Sequence, residues 1–312
     1  MKRCEEFRIA CLGDSLTKGN ESLVTGAGGH SGLRFLGNYP RTLAAQLPSR
    51  TRLPDLDEGD ACCTAAERPR SRGRVLCPTV RNFGRGGSTA SDDGPLSYRR
   101  TPEWRAAMAW RPHVAILLLG TNDGRRDALW TQGRLHGRRS VQRGLAQLLN
   151  SLLRLPSRPA VALALPLPLR LHNATVHARV HELVVPALVT AANRVAAASA
   201  PGDERSRGRG ATRAAQRGLY RASGQRRRRR SRRLRRGGEA PADLLSEAQR
   251  CHRCAAGSVV LWDTRGAVPA DQPSLFVPDG IHPTAQGATM LADAVRASLA
   301  RCLCFSNANY TL

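Results

Sequence analysis

Five short apolar runs, at residues 7–12, 75–83, 114–119, 160–165 and 258–262, recur along the chain with longer amphipathic stretches between them. Each run is rich in Val, Ile and Leu and fits a strand buried on both faces. The stretches at residues 39–47, 104–110, 141–153 and 176–198, with 283–302 closing the chain, space their apolar residues as helices do. Strand alternating with helix implies an α/β fold, a parallel sheet covered on both faces. In such open sheets the ligand crevice lies at the carboxyl ends of the strands, so the residues directly after each run are where chemistry is expected.

Two segments stand outside this plan. Residues 50–74 lack periodicity and read as a surface loop insertion. Residues 201–240 contain Arg226 to Arg230 as an unbroken block and fifteen Arg against Asp203, Glu204 and Glu239. Such a block repels itself and buries no apolar surface, so it is expected to be a disordered insertion. The 312 residues, 41% of them hydrophobic, are enough for a single α/β domain spanning 1–312 with these two insertions.

The formal charge of +25 points first to an anionic partner such as nucleic acid. About half of it sits in residues 201–240, and Lys2 and Lys18 are the only lysines, a bias that GC-rich codons also produce. The Arg-rich segment could contact RNA, but only Tyr220 supplies an interleaved aromatic. The longest uncharged runs, 112–122 and 159–169, fall well short of the roughly 18 residues that span a bilayer. Acidic Glu5 and Glu6 stand where a secretory signal would place its apolar core, so the expectation is a cytoplasmic chain with no membrane span. Nine cysteines, an odd number, are then expected to be reduced thiols. Cys251-His252-Arg253-Cys254 has no second ligand pair at zinc-site spacing, and no metal is expected. The glycosylation-type tripeptides at Asn20, Asn173 and Asn309 are taken as chance.

Four motifs follow the strand-like runs. Gly13-Asp14-Ser15-Leu16 comes after the first, where a tight turn would expose the Ser15 hydroxyl above the sheet; taken alone, Ser15 could equally be a helix cap. Asn82-Phe83-Gly84-Arg85-Gly86-Gly87-Ser88-Thr89 closes the second, its glycines allowing a backbone N–H to approach a ligand. Gly120-Thr121-Asn122-Asp123 follows the third, and the Asn122 amide could donate to an oxyanion. Asp279-Gly280-Ile281-His282 lies near the C-terminus, with Pro283 suited to the first position of a helix. Its three-residue spacing lets a carboxylate orient the imidazole that faces a serine. Asp14 and Asp123 read as residues that hold their own turns by local hydrogen bonds.

With these four blocks in this order, the sequence resembles the SGNH (GDSL-type) hydrolase family over nearly its whole length apart from the two insertions. The resemblance implies a flavodoxin-like three-layer α/β/α sandwich around a five-stranded parallel sheet, and a serine esterase that needs no cofactor. It implies Ser15 as nucleophile, His282 as general base and then acid, and Asp279 as its orienting partner. The oxyanion hole would comprise the backbone N–H groups of Ser15 and Gly87 and the side chain of Asn122. Gly86 is adjacent, and spacing from Asn82 and Thr89 favours Gly87. The expected substrate is a small-molecule, carbohydrate or lipid ester. The stretch Leu165-Pro166-Leu167-Pro168-Leu169 and the following Asn173-Ala174-Thr175-Val176 look similar to carbohydrate O-acetylesterases, which implies short acyl groups. A lysophospholipase or thioesterase type of acylhydrolase is the alternative, and a nucleic-acid-binding protein acting through residues 201–240 is a reading of another class.

Overall fold

A computed structural model of the chain describes residues 4–19, 38–49, 51–52, 75–169, 174–199 and 257–302. The chain divides into two compact units, residues 1–199 with 251–312, and residues 200–250. The second unit, and with it the Arg-rich segment, lies outside the described residues, as do residues 53–74.

The strands are β1 (Glu5–Gly13), β2 (Thr51–Arg52), β3 (Val75–Gly84), β4 (Val114–Leu118), β5 (Ala160–Ala164) and β6 (Val259–Trp262). They form one sheet in the order β2-β3-β1-β4-β5-β6. The five longer strands are parallel, as the apolar runs imply. The two-residue β2 is antiparallel to β3 and falls in a stretch expected to be loop throughout. It pairs only with Val75 and Leu76, so from Cys77 onward β3 has no neighbour on that side among the described residues. That edge position accounts for Pro78, which has no N–H for a ladder, and for the exposed Arg81. Full burial on both faces holds for β4 and β5, whereas β3 is half exposed.

Helices α1 (Ser15–Lys18), α2 (Tyr39–Gln46), α3 (Pro102–Trp110), α4 (Thr121–Arg125), α5 (Asp127–Trp130), α6 (Arg134–Leu153), α7 (Ala174–Ala178), α8 (Val185–Ser199) and α9 (Ala285–Cys302) join or cover the strands. Successive strand residues point to opposite faces and so feed two separate cores. Ile9, Cys11, Ile116 and Leu118 pack with Tyr39 and Leu43 of α2 and Leu291, Val295 and Leu299 of α9. Ala10, Leu12, Ala115 and Leu117 pack with Trp104 of α3, Leu145 and Leu148 of α6 and Leu188 of α8. The result is the three-layer α/β/α sandwich. The amphipathic stretch expected at 176–198 is interrupted by a π turn, Arg179–Val184, directly before Pro186. Proline lacks the N–H that regular helix would need there, and the wider turn takes up the break. Among the described residues no helix is long and apolar enough to cross a membrane.

Cys4 and Cys77 form a disulfide, contrary to the expectation that all the cysteines are reduced. Cysteine counting cannot see strand register: β1 and β3 pair Glu5 with Leu76 and Glu6 with Cys77, which brings two thiols 73 residues apart in sequence side by side. Cys11 is free and buried, and burial pushes its thiol up to about 12 despite a hydrogen bond to Tyr39. Peptide mapping without reductant should recover the Cys4 and Cys77 peptides linked. Cys77→Ser should lose about 2–4 kcal/mol of stability to denaturant, as expected when a long loop is no longer closed. Free thiols at both positions would contradict the link.

Candidate active site

The four motifs meet where β1 and β4 end side by side. A β-carbon at Gly13 would lie 2.2 Å from the Leu118 carbonyl oxygen and 2.3 Å from Thr17 Oγ1, so only glycine lets the chain turn there. A β-carbon at Gly84 would lie 2.1 Å from the Lys18 nitrogen, so the end of β3 must be equally bare for α1 to cross it. Asp14 caps α1, its Oδ1 accepting the Leu16 N–H at 2.9 Å. Ser15 is thus the first helical residue rather than the cap, at the positive end of a short helix.

Asp279 and His282 reach Ser15 from the other end of the chain. His282 Nε2 lies 2.7 Å from Ser15 Oγ, and its Nδ1 lies 2.5 Å from Asp279 Oδ2. The second carboxylate oxygen, Oδ1, accepts the N–H groups of Ile281 at 2.8 Å and His282 at 3.0 Å, which fixes the carboxylate in its turn. Pro283 does not open a helix as its sequence position implies. It bridges Phe276, the Val277 N–H donates to the His282 carbonyl at 2.9 Å, and α9 starts only at Ala285. The loop is therefore pinned on both sides of His282 by main-chain bonds.

Asn122 lies on α4, and its Nδ2 donates to the Ser88 carbonyl at 3.1 Å. Of the two adjacent glycines, Gly86 runs beside the nucleophile candidate, a β-carbon there lying 4.0 Å from Ser15 Cβ. Gly87 adopts φ of +77° and turns the chain toward Ser88. Asp123 does more than hold its own turn. Its buried carboxylate accepts the Ala90 N–H at 2.8 Å and the Ser91 N–H at 2.9 Å, joining the loop after β3 to the one after β4. The Trp130 indole N–H donates to the Asp123 carbonyl at 2.8 Å. The sequence signal for this role was present in Gly120-Thr121-Asn122-Asp123, but not the partner.

Burial raises Asp14 to about 7, the nearby Asp123 charge adding to the effect and the Leu16 N–H opposing it; its Oδ2 is buried without a partner. Asp123 is raised as well, chiefly by burial, against the Ala90 and Ser91 hydrogen bonds. At Asp279 burial acts upward, but the N–H groups of His282 and Ile281 and the His282 ring outweigh it and hold the carboxyl below its usual range. Asp279 is therefore an anion at neutral pH, as an orienting partner must be.

A family model described as GDSL-like lipase/acylhydrolase matches residues 9–295. No curated protein matches the chain. Among solved structures, an aryl esterase of M. smegmatis is 15% identical, with 94% of this chain and 98% of that one covered and a TM-score of 0.46. A carbohydrate esterase family 3 protein from Talaromyces cellulolyticus is 15% identical over 95% and 98%, with a TM-score of 0.44. An acetyl xylan esterase from Geobacillus stearothermophilus is 14% identical over 96% and 95%, with a TM-score of 0.46.

The raised Asp14 carboxyl sets a pH dependence of stability. The unfolded chain releases this proton near the ordinary value of about 3.9, while the folded protein keeps it to about 7. Between these values the native state binds more protons, so stability falls as pH rises through the window and levels off above it, by something on the order of 4 kcal/mol. Asp14→Asn should remove that component. In denaturant melts its stability relative to wild type should improve from about pH 5 to about pH 8; a constant difference across the range would show that Asp14 does not hold the proton.

Proposed function

The chain belongs to the GDSL-like lipase/acylhydrolase family and is a carboxylic ester hydrolase, and we propose that Ser15 is its nucleophile, with His282 as general base and then acid and Asp279 orienting His282. The observation that carries this reading is the unbroken line from Asp279 Oδ2 through both ring nitrogens of His282 to Ser15 Oγ.

In this reading Ser15 Oγ attacks the ester carbonyl carbon while its proton passes to His282 Nε2. Asp279 stabilises the imidazolium through Nδ1 and fixes its orientation. The tetrahedral oxyanion takes hydrogen bonds from the N–H groups of Ser15 and Gly87 and from the Asn122 side chain. One N–H of the Asn122 amide is already on the Ser88 carbonyl, which holds the side chain still and leaves the second for the oxyanion. Collapse breaks the bond to the alcohol oxygen, and the alcohol leaves with the proton from Nε2. Water then attacks the acyl-serine, giving its proton to His282, and the carboxylic acid departs as Ser15 regains its hydrogen.

Within ester hydrolysis, we read the substrates as short O-acyl esters, carbohydrate O-acetyl esters among them. The likeness of the 165–169 stretch to carbohydrate O-acetylesterases supports this.

Rates on p-nitrophenyl esters from acetate to palmitate should fall with acyl length, and a preference for the long esters would reverse the substrate reading. Ser15→Ala should lower kcat by at least about 10³-fold on the best ester, and equal rates for variant and wild type would sink the mechanism. Asn122→Ala should lower kcat by about 10²–10³-fold with a smaller effect on KM, as removal of an oxyanion donor does.

A further inference from the structure

Ser15 and Asn122 stand on two short helices that repeat one pattern. In α1, Leu16 and Thr17 are buried, so Ser15 and Lys18 are the residues that face outward. In α4, Thr121, Asp123 and Gly124 are buried, which leaves Asn122 and Arg125 outward. Residues three apart lie on one side of a helix, so each of these polar groups has a cation beside it. The sheet sets the two cations on opposite sides of Ser15. Helix α1 crosses the end of β3 and α4 follows β4, while β1, whose turn carries Ser15, lies between those strands. Lys18 is fixed there by its main chain, its carbonyl accepting the Asn82 side-chain amide at 3.0 Å. At Asp14, the residue before Ser15, burial is the larger effect, and the Arg125 charge lies near enough to act against it.

Neither Lys18 nor Arg125 has an ion pair among the described residues, whereas the charges around them are matched. Arg85, next to Gly86, is tied to Glu103 at 3.2 Å. Asp92 holds Arg99, Asp93 holds Arg143 and Asp127 holds Arg179. Asp14 and Asp123 are buried, and Asp279 is turned to His282. Two uncompensated positive charges therefore remain at the crevice, where they raise the local concentration of an anion. An ammonium and a guanidinium also give charge-assisted hydrogen bonds to carboxylate or phosphate oxygens. One such cation would read as a solvated side chain; two, placed alike on either side of the serine, bracket a single ligand. We propose that Lys18 and Arg125 form an anion subsite for a carboxylate or phosphate group on the alcohol portion of the ester. Its assignment to the alcohol portion rests on the hydrolytic reading above and on the short acyl group; the binding of an anion does not.

The test uses the full chain with Lys18→Gln and Arg125→Gln, both at exposed positions. The substrates are 4-acetoxybenzoate, 4-acetoxyphenyl phosphate and the neutral 4-acetoxybenzamide. The ratio of kcat/KM for anionic over neutral ester cancels any general loss of activity in a variant. Each variant should lower that ratio about tenfold, the scale of one charge-assisted hydrogen bond. In wild type the ratio should also shrink when salt is raised to about 1 M, where screening leaves a range of only about 3 Å. The anion with the larger ratio tells carboxylate from phosphate. A ratio that stays at the wild-type value in either variant, or an equal loss on all three esters, overturns the subsite. NMR line broadening of 4-hydroxybenzoate and 4-hydroxyphenyl phosphate reads anion binding without turnover. If wild type binds one of these and both variants lose it while no ester is cleaved, the subsite stands and the hydrolytic reading fails. If esters are cleaved with the same ratio by wild type and variants, the reverse holds, and absence of both cleavage and binding overturns both.

Discussion

The contact on which the site depends is the approach of Gly13 to the Leu118 carbonyl. Strands β1 and β4 run in register through Gly13 and Leu118, and the Asp14 N–H continues that line with a bond to the same carbonyl at 3.4 Å. With no β-carbon at residue 13, the chain folds straight from the strand into α1 and leaves Ser15 standing at the strand end. Any side chain at 13 would collide with backbone, which cannot yield as a flexible neighbour could, so β1 and β4 would have to part at the point where Ser15 and the Asn122 loop converge. The strand order places that point at the switch in connection direction, where an open parallel sheet has its natural crevice.

Holding the crevice open carries an energetic cost that the surrounding polar groups offset only in part. Two buried carboxyls, Asp14 and Asp123, lie close enough for the Asp123 charge to raise Asp14. Asp123 is compensated by two main-chain donors and in return joins the loops after β3 and β4, which positions Gly87 and Asn122 together. Asp14 has one donor and one orphan oxygen. A neutral, fully paired residue at 14 would be cheaper for folding, which is the balance expected where a site is kept in shape at the expense of stability.

The elements that proved legible in the sequence are those fixed by local patterning. The apolar runs of β4 and β5 are buried on both faces and need no partner to be recognised, and Ser15, Asn122 and His282 lie in motifs that directly follow strands or close a turn. What could not be read depends on which segments become neighbours. The Cys4–Cys77 link requires the register of β1 on β3, the antiparallel β2 requires knowing that β3 is the edge, and the reach of Asp123 to Ala90 and Ser91 spans two loops. Pro283 misled for a related reason. Its φ suits the first turn of a helix as well as an extended bridge, and the bridge prevails because Phe276 lies opposite.

The same distinction separates the Ser15–His282 pair from the surface around it. Ser15 and His282 are 267 residues apart in sequence and meet across a single hydrogen bond, so the first strand and the last loop must both dock before that pair exists. Its geometry is determined by the sheet and by main-chain bonds on either side of His282, and therefore by the fold itself. The surface around Trp130 is built differently. The Trp130 indole is anchored to the Asp123 carbonyl and buried in one core, against which Leu183 of the π turn also packs, whereas Arg134 and Glu182 are exposed. Arg134 and Glu182 contribute to neither core, so substitution there leaves the placement of Ser15 and His282 to the sheet and its loops.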